Sequence, residues 1–267
     1  MIIQQLCRTA ACVLAVFATA SFAVADGVDV LIAEPASGSG ATVVGSVDKG
    51  VADGDVDASA RVFEAEMILE EETPGVFVWE TEEPGFFTGS VGVTPTIPAG
   101  AVAASDGQTV SVFKAPFAVD GAISDIFYWD GTGPVSFAPA VGAEFELEPE
   151  GVIGGGAVVT GGFYDEHPDF LIEGDMGATP DAGVYLVSVT AQLENFDPSD
   201  QLFLVFATLD SNFLGLDPTA TDEEIEEAVE GFLDPAVDFV ETNIIPEPSA
   251  ALLTALATGV VATRKRR

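Results

Sequence analysis

Between Ala143 and Pro149 the chain alternates acidic and large apolar residues without a break: Glu144, Phe145, Glu146, Leu147, Glu148. Successive side chains of a strand point to opposite faces, so this stretch predicts a half-buried strand with an acidic outer face. Arg61 to Glu70 follows the same rule. Phe63, Ala65, Met67 and Leu69 point one way, Glu64, Glu66 and Glu70 the other, and Ile68 breaks the pattern. Other runs are more continuously apolar and predict central strands covered on both faces: Val28 to Ala33, Val76 to Trp79, Gly183 to Thr190 and Gln201 to Leu209. Ala41 to Val47, Thr109 to Phe113, Ile126 to Trp129, Val135 to Ala138, Ala157 to Phe163 and Phe170 to Glu173 are further candidates. Gly, Pro and Asp bound these runs. They predict an all-β fold, an antiparallel β-sandwich of the jelly-roll kind. No fixed-period repeat is visible, so residues 26–243 are expected to form one domain.

Only one region has helical spacing. Thr221 and Glu224 make a capping box ahead of Ile225, Ala228, Val229 and Phe232. Asp234 and Pro235 then look like a new cap and first helical residue, which predicts a short C-terminal helical pair on the end of the sandwich.

Charge narrows the partners. Of the 267 residues, 44 are acidic and 8 basic, and the basic residues of the body are Lys49, Arg61 and Lys114. Residues 26–247 therefore carry a net charge of −41. Such a surface repels nucleic acid and anionic headgroups and favours cations or a salty medium. It reads either as a solvated acidic shell or as a binder of divalent cations.

Both ends of the sequence point to export. Arg8, an apolar stretch from Ala10 to Ala20 and Ala23-Val24-Ala25 fit a signal peptide over 1–25, for removal by signal peptidase. Cys7 and Cys12 would leave with it, so the mature chain would hold no thiol. At the other end, residues 244–267 contain Pro246-Glu247-Pro248-Ser249, the apolar run Ala250 to Ala262, and Arg264-Lys265-Arg266-Arg267. The uncharged part would span roughly 22 Å as an apolar helix, against a hydrocarbon core of about 30 Å. The basic cluster would stay cytoplasmic, leaving the body outside. The two prolines would hold Glu247 in extended backbone.

This tail resembles the PEP-CTERM sorting signal of exopolysaccharide-producing bacteria. The resemblance implies brief membrane anchoring by the C-terminus and processing by an exosortase-type enzyme. The sorting residues would be Pro246, Glu247, Pro248, Arg264, Lys265, Arg266 and Arg267. Arg61-Val62-Phe63-Glu64-Ala65-Glu66, Glu83-Pro84-Gly85-Phe86-Phe87, Tyr128-Trp129-Asp130-Gly131, Gly183-Val184-Tyr185-Leu186 and Leu204-Val205-Phe206 occur in that order. Together they resemble uncharacterised secreted bacterial proteins with such tails, a likeness that implies no activity or ligand.

Candidate chemistry is sparse. Asp53, Asp55, Asp57 and Glu64 match positions 1, 3, 5 and 12 of a calcium loop, but Ala58 replaces the needed glycine and no helix flanks it. A looser calcium site on Asp53, Asp55 and Asp57 is the metal expectation, against a plain polar loop; no other cofactor is expected. His167, the one histidine, lies among Asp165, Glu166 and Asp169 and reads as a metal ligand, an acid–base group or a loop residue. No G-x-S-x-G elbow is present, and the many carboxylates make any glycosidase pair uninformative. The Gly-rich stretch Val152 to Gly156 lacks phosphate-loop spacing and reads as a turn. Trp79, Tyr128 and Trp129 could stack on sugar rings or fill the core.

The sequence thus predicts a secreted, non-enzymatic protein of the cell envelope or extracellular matrix, structural or adhesive. A carbohydrate-binding module for exopolysaccharide is the alternative, and a polysaccharide hydrolase the third reading. A binding module requires exposed tryptophans; a hydrolase requires a cleft with two carboxylates, at least one of raised pKa.

Overall fold

The computed structural model describes residues 24–26, 29–48, 55–89, 95–154, 157–158, 161–217 and 219–245. Residues 1–23 and 246–267, which hold most of the expected signal peptide (1–25) and sorting tail (244–267), lie outside them. Among the described residues no helix is long and apolar enough to cross a membrane. The strands are β1 (Val24–Asp26), β2 (Asp29–Pro35), β3 (Val43–Asp48), β4 (Asp55–Asp57), β5 (Val62–Thr73), β6 (Val76–Thr81) and β7 (Phe86–Gly89). There follow β8 (Ala101–Val102), β9 (Val110–Lys114), β10 (Phe117–Val119), β11 (Ala122–Ser124), β12 (Ile126–Trp129) and β13 (Ala138–Pro139). The last are β14 (Ala143–Glu148), β15 (Gly151–Val152), β16 (Tyr164–Glu166), β17 (Asp169–Gly174), β18 (Val184–Leu193) and β19 (Leu202–Thr208). A one-turn helix, α1 (Ser211–Leu214), precedes α2 (Asp222–Asn243).

The chain is mostly β, built on a large curled sheet and a smaller one. The large sheet runs β13-β12-β18-β19-β5-β6-β17-β14, with β9 also on β18, β15 on β9 and β1 on β5. The smaller runs β16-β7-β2-β3-β4, with β8 on β2, and β10 and β11 form a separate hairpin. Strand β18 divides its edge, pairing β12 through Val184–Val187 and β9 through Val189–Leu193. The sheets are mixed rather than antiparallel. β5 is parallel to both β1 and β19, and β2 is parallel to β7. Parallel neighbours require long crossovers, and alternation along one strand does not reveal the direction of the next.

Layering follows from which strands are apolar on both faces. All seven residues of β19 are buried. Leu202, Leu204 and Phe206 join Tyr185, Val187, Phe63 and Met67 in a core shared with Val30, Ile32, Val44 and Phe86 of the smaller sheet. Phe203, Val205 and Ala207 face the other way, with Val184, Leu186, Phe127 and Trp129, towards Val229, Leu233, Ala236, Val237 and Val240 of α2. The large sheet is therefore covered by the small sheet on one side and by the helix on the other, which is why β18 and β19 carry no charge and are mostly apolar on both faces.

Among the described residues a single helix follows β19 and α1 where a pair was expected, and it lies on a sheet face rather than an end. α2 runs unbroken through Pro235. A proline removes one helical hydrogen bond and crowds the carbonyl four residues back, a cost of about 3 kcal/mol. Packing on either side of Pro235 outweighs it, because Val229 and Leu233 before and Ala236, Val237 and Val240 after all bury on the same sheet. The capping box is present: the Glu224 N–H donates to Thr221 Oγ1, and the Thr221 N–H to Glu224 Oε2. Thr221→Ala is expected to cost about 1 kcal/mol, lowering the Tm by roughly 2–4 °C. An unchanged calorimetric Tm would mean that α2 is held by its packing alone.

The alternating strands behave as expected where the core reaches. Phe145 and Leu147 are buried, with Glu144 and Glu148 exposed. In β5 the alternation holds to Met67 and then fails, Ile68 being 48% and Leu69 43% exposed. There the β5–β6 hairpin overhangs the core. The expected strand over Ala157 to Phe163 is absent where described, and Val135 to Ala138 contributes only Ala138 to β13.

Candidate metal centre

The smaller sheet gathers three distant parts of the chain at one end. Parallel pairing sets Val30 beside Phe86, and β16 lies antiparallel on the far side of β7, with Glu166 opposite Phe86. The head of β2, the approach to β7 and the end of β16 therefore meet. The pairing shifts register between Tyr164 and Asp165. Tyr164 fixes β16 by donating its hydroxyl to the Ile153 carbonyl at 2.8 Å, and burial raises the pKa of its phenol.

At this junction stand Asp29, Asp165 and His167, whose ligand atoms all lie within 4.8 Å of one another. Asp29 is 1% exposed, Asp165 is exposed and His167 half-buried. The backbone is shaped around the imidazole. A Cβ on Gly85 would fall 2.5–2.8 Å from ring atoms Cε1, Nε2 and Nδ1 of His167, so only glycine fits. Gly85 is held in turn, its carbonyl accepting from the Val30 N–H at 2.8 Å and its N–H donating to Glu83 Oε2 at 3.3 Å.

His167 Nδ1 lies 3.1 Å from the Glu82 carbonyl oxygen. A carbonyl can only accept, so Nδ1 carries the proton in this contact. In the neutral ring Nε2 is then the lone-pair nitrogen, and it faces Asp165 Oδ1 at 3.6 Å. Glu83 Oε1 stands 3.5 Å from Nδ1. One imidazole and two carboxylates suit a first-row divalent ion; at metal–ligand distances of about 2.0–2.2 Å two ligands of a tetrahedral ion lie about 3.3–3.6 Å apart, the spacing at which Nε2 and Asp165 Oδ1 already stand.

The other sequence candidates fall elsewhere. Asp53 lies outside the described residues, and Asp55 and Asp57 are the two ends of β4. Asp57 Oδ1 accepts from the Ser59 N–H at 2.7 Å and the Ser59 hydroxyl at 2.5 Å, closing a turn. Trp79 and Trp129 are 2% and 6% exposed, and their indole N–H groups donate to Pro180 and Thr132 carbonyls. Tyr128 donates to the Ala182 carbonyl. Neither tryptophan offers the sugar-stacking face a carbohydrate-binding module requires.

A second acidic feature covers the outer face of β6, β17 and β14. Glu80 pairs with Leu171, which sets it diagonal to Asp169 and Glu173; Glu144 and Glu148 lie opposite Glu173 and Asp169. Partial burial, then repulsion from neighbouring carboxylates, raises the pKa of Glu80, Asp169 and Glu173. Lys114 reaches the rim, its Nζ 2.9 Å from Glu146 Oε2. A separate cleft of about 370 Å³ between α2 and β5 is lined by Glu64, Glu66, Glu83, Glu226, Glu230 and Asp234 among others. The carboxyls of raised pKa on the sheet are not among its lining residues.

No protein-family model, curated protein or solved structure matches the chain.

Sequence spacing singled out His167 with Asp165 beside it but missed Asp29. Asp29 lies 136 positions before Asp165, and no local pattern joins them. The one available signal was Gly85, the lone small residue between Pro84 and the Phe86-Phe87 pair.

Proposed function

We propose that the chain is an exported protein of the cell envelope or extracellular matrix, with a structural or adhesive rather than enzymatic role. It would lose residues 1–25 to signal peptidase and be held briefly in the membrane by residues 244–267. An exosortase-type enzyme would then process it at the PEP-CTERM-like tail. The body, 26–243, would be a β-sandwich, jelly-roll-like in its arrangement.

The observation that carries this reading is the carboxylate array on β6, β17 and β14. Folding brings like charges together across neighbouring strands, and the body has very few basic residues to offset them. Such a face needs cations from the medium, and calcium is the hard, oxygen-seeking ion of extracellular media that suits it. Cation-bridged contact with acidic exopolysaccharide would then supply adhesion.

Melting the protein in chelator and in millimolar calcium, at ionic strength matched with sodium chloride, tests this. A ligand of the folded state at a hundred times its Kd adds about 2.7 kcal/mol. A rise in Tm with calcium beyond matched salt is expected. Equal responses to both salts would reduce the array to a solvated surface, and would also count against the Asp53, Asp55, Asp57 calcium site.

A further inference from the structure

We infer that Asp29, Asp165 and His167 form a site for a single first-row divalent cation of the zinc class, a site distinct from the calcium-seeking sheet face. This inference stands independently of the export and adhesion reading. Three observations converge on it.

The ligand types are mixed. Two carboxylates and the chain's sole imidazole come together from β2 and from the end of β16, with one ligand atom of each within 4.8 Å of the others. An oxygen-only cluster would suit calcium or magnesium; the imidazole turns preference towards zinc, cobalt or nickel.

The imidazole is oriented as metal-bound histidines are. Its Nδ1–H is directed at the Glu82 carbonyl, the outer contact that fixes the tautomer and ring plane of a ligating histidine and leaves Nε2 for the ion. The missing side chain at Gly85 lets the backbone close on the ring and hold it there.

Nε2 and Asp165 Oδ1 stand 3.6 Å apart, an ion pair when the ring is protonated and the spacing of two ligands on one tetrahedral ion. A cation bound there would take the place of that ion pair. Asp29 supplies a buried carboxylate on the inner side, and Asp165 leaves the outer side open to solvent. Three protein ligands leave a further position for water or for an oxygen ligand from outside. The ion would tie the head of β2 to the end of β16, two strands that pair with β7 on either side.

The single histidine makes the test direct. The intact protein, stripped with chelator and labelled with ¹⁵N, is titrated with zinc alone while millimolar calcium occupies the acidic sheet face. Its imidazole nitrogens are followed by NMR. The expected result is a shift of the Nε2 resonance that saturates at about one equivalent of zinc. Asp165→Asn, at an exposed position where folding is not at stake, should weaken binding roughly tenfold or more. Zinc uptake with an unmoved imidazole would place the ion on the sheet carboxylates and overturn the inference. So would the absence of zinc uptake, or an Asp165→Asn variant that binds as tightly as the parent.

Discussion

Phe206→Ala is expected to cost about 3–5 kcal/mol, the largest single-residue loss in the molecule. Phe206 is wholly buried in β19 and pairs with Ala65 on one neighbour and Tyr185 on the other. Its ring lies 5.6 Å from that of Phe170, which stacks in turn on Phe145, so one chain of rings links β19, β17 and β14. Every strand around the gap is held by its own pairing, so the structure has little freedom to collapse into it. Against a total stability of about 5–15 kcal/mol, such a loss takes roughly a fifth or more. Urea unfolding should show the midpoint falling with little change in slope. Ile123→Ala, at a position 76% exposed, should stay within about 0.5 kcal/mol. A loss below about 1 kcal/mol for Phe206→Ala would contradict the central placing of β19.

The second large effect is a gain in stability on mild acidification. Glu80, Asp169 and Glu173 have raised pKa values from partial burial and then like charge, and Glu241 from partial burial and then Asp238. A carboxyl with a raised folded pKa binds its proton more tightly in the folded state. Its penalty is present above that pKa and is relieved as the pH falls through it. Each full proton taken up on folding is worth about 1.4 kcal/mol per pH unit, and these partly solvated groups contribute a fraction of that. Asp130, Asp217 and Glu224 work in the opposite sense, their pKa values lowered by hydrogen bonds from Thr132, Thr219 and Thr221. Their contribution is lost only as the pH falls through and below the ordinary carboxylate range. The Tm should therefore rise from pH 7 towards pH 5 and fall again at stronger acidity. Added sodium chloride should flatten the rise by screening the repulsion. A Tm that drops steadily from pH 7 would show that the sheet carboxylates are better accommodated than their crowding implies.

What could be read from the sequence was decided locally. The acid–apolar alternation of Glu144 to Glu148 follows from one strand lying half in the core, and nothing distant alters it. Gly183 to Thr190 and Gln201 to Leu209 were legible as central strands because burial on both faces leaves no charged residue in either run. The capping box at Thr221 is local as well. The pair of helices was misread because Pro235 announces a boundary locally, while the sheet beneath α2 favours continuity. Parallel pairing of β5 with β19 was invisible for a related reason, since direction depends on the route of the chain between them. The metal centre was the least legible part. His167 has acidic neighbours in sequence, but its orientation is set by the Glu82 carbonyl and the bare Gly85, and its inner partner is Asp29. Burial of Trp79 and Trp129 also depends on distant cover, including α2 over Trp129.

The parallel contact between β5 and β19 bears on when the molecule can close. Val62 sits beside Phe203, 141 residues later in the chain. Until residues 203–208 have emerged, β5 lacks its main neighbour, and Phe63 and Met67 lack the wall supplied by Leu204 and Phe206. Joining ends so far apart costs chain entropy before any contact offsets it, so the early strands gain little by waiting in place. A chain arranged in this way stays unlocked through most of its synthesis and closes late. That is the order of events a polypeptide needs if it is to be threaded through a narrow pore before it folds.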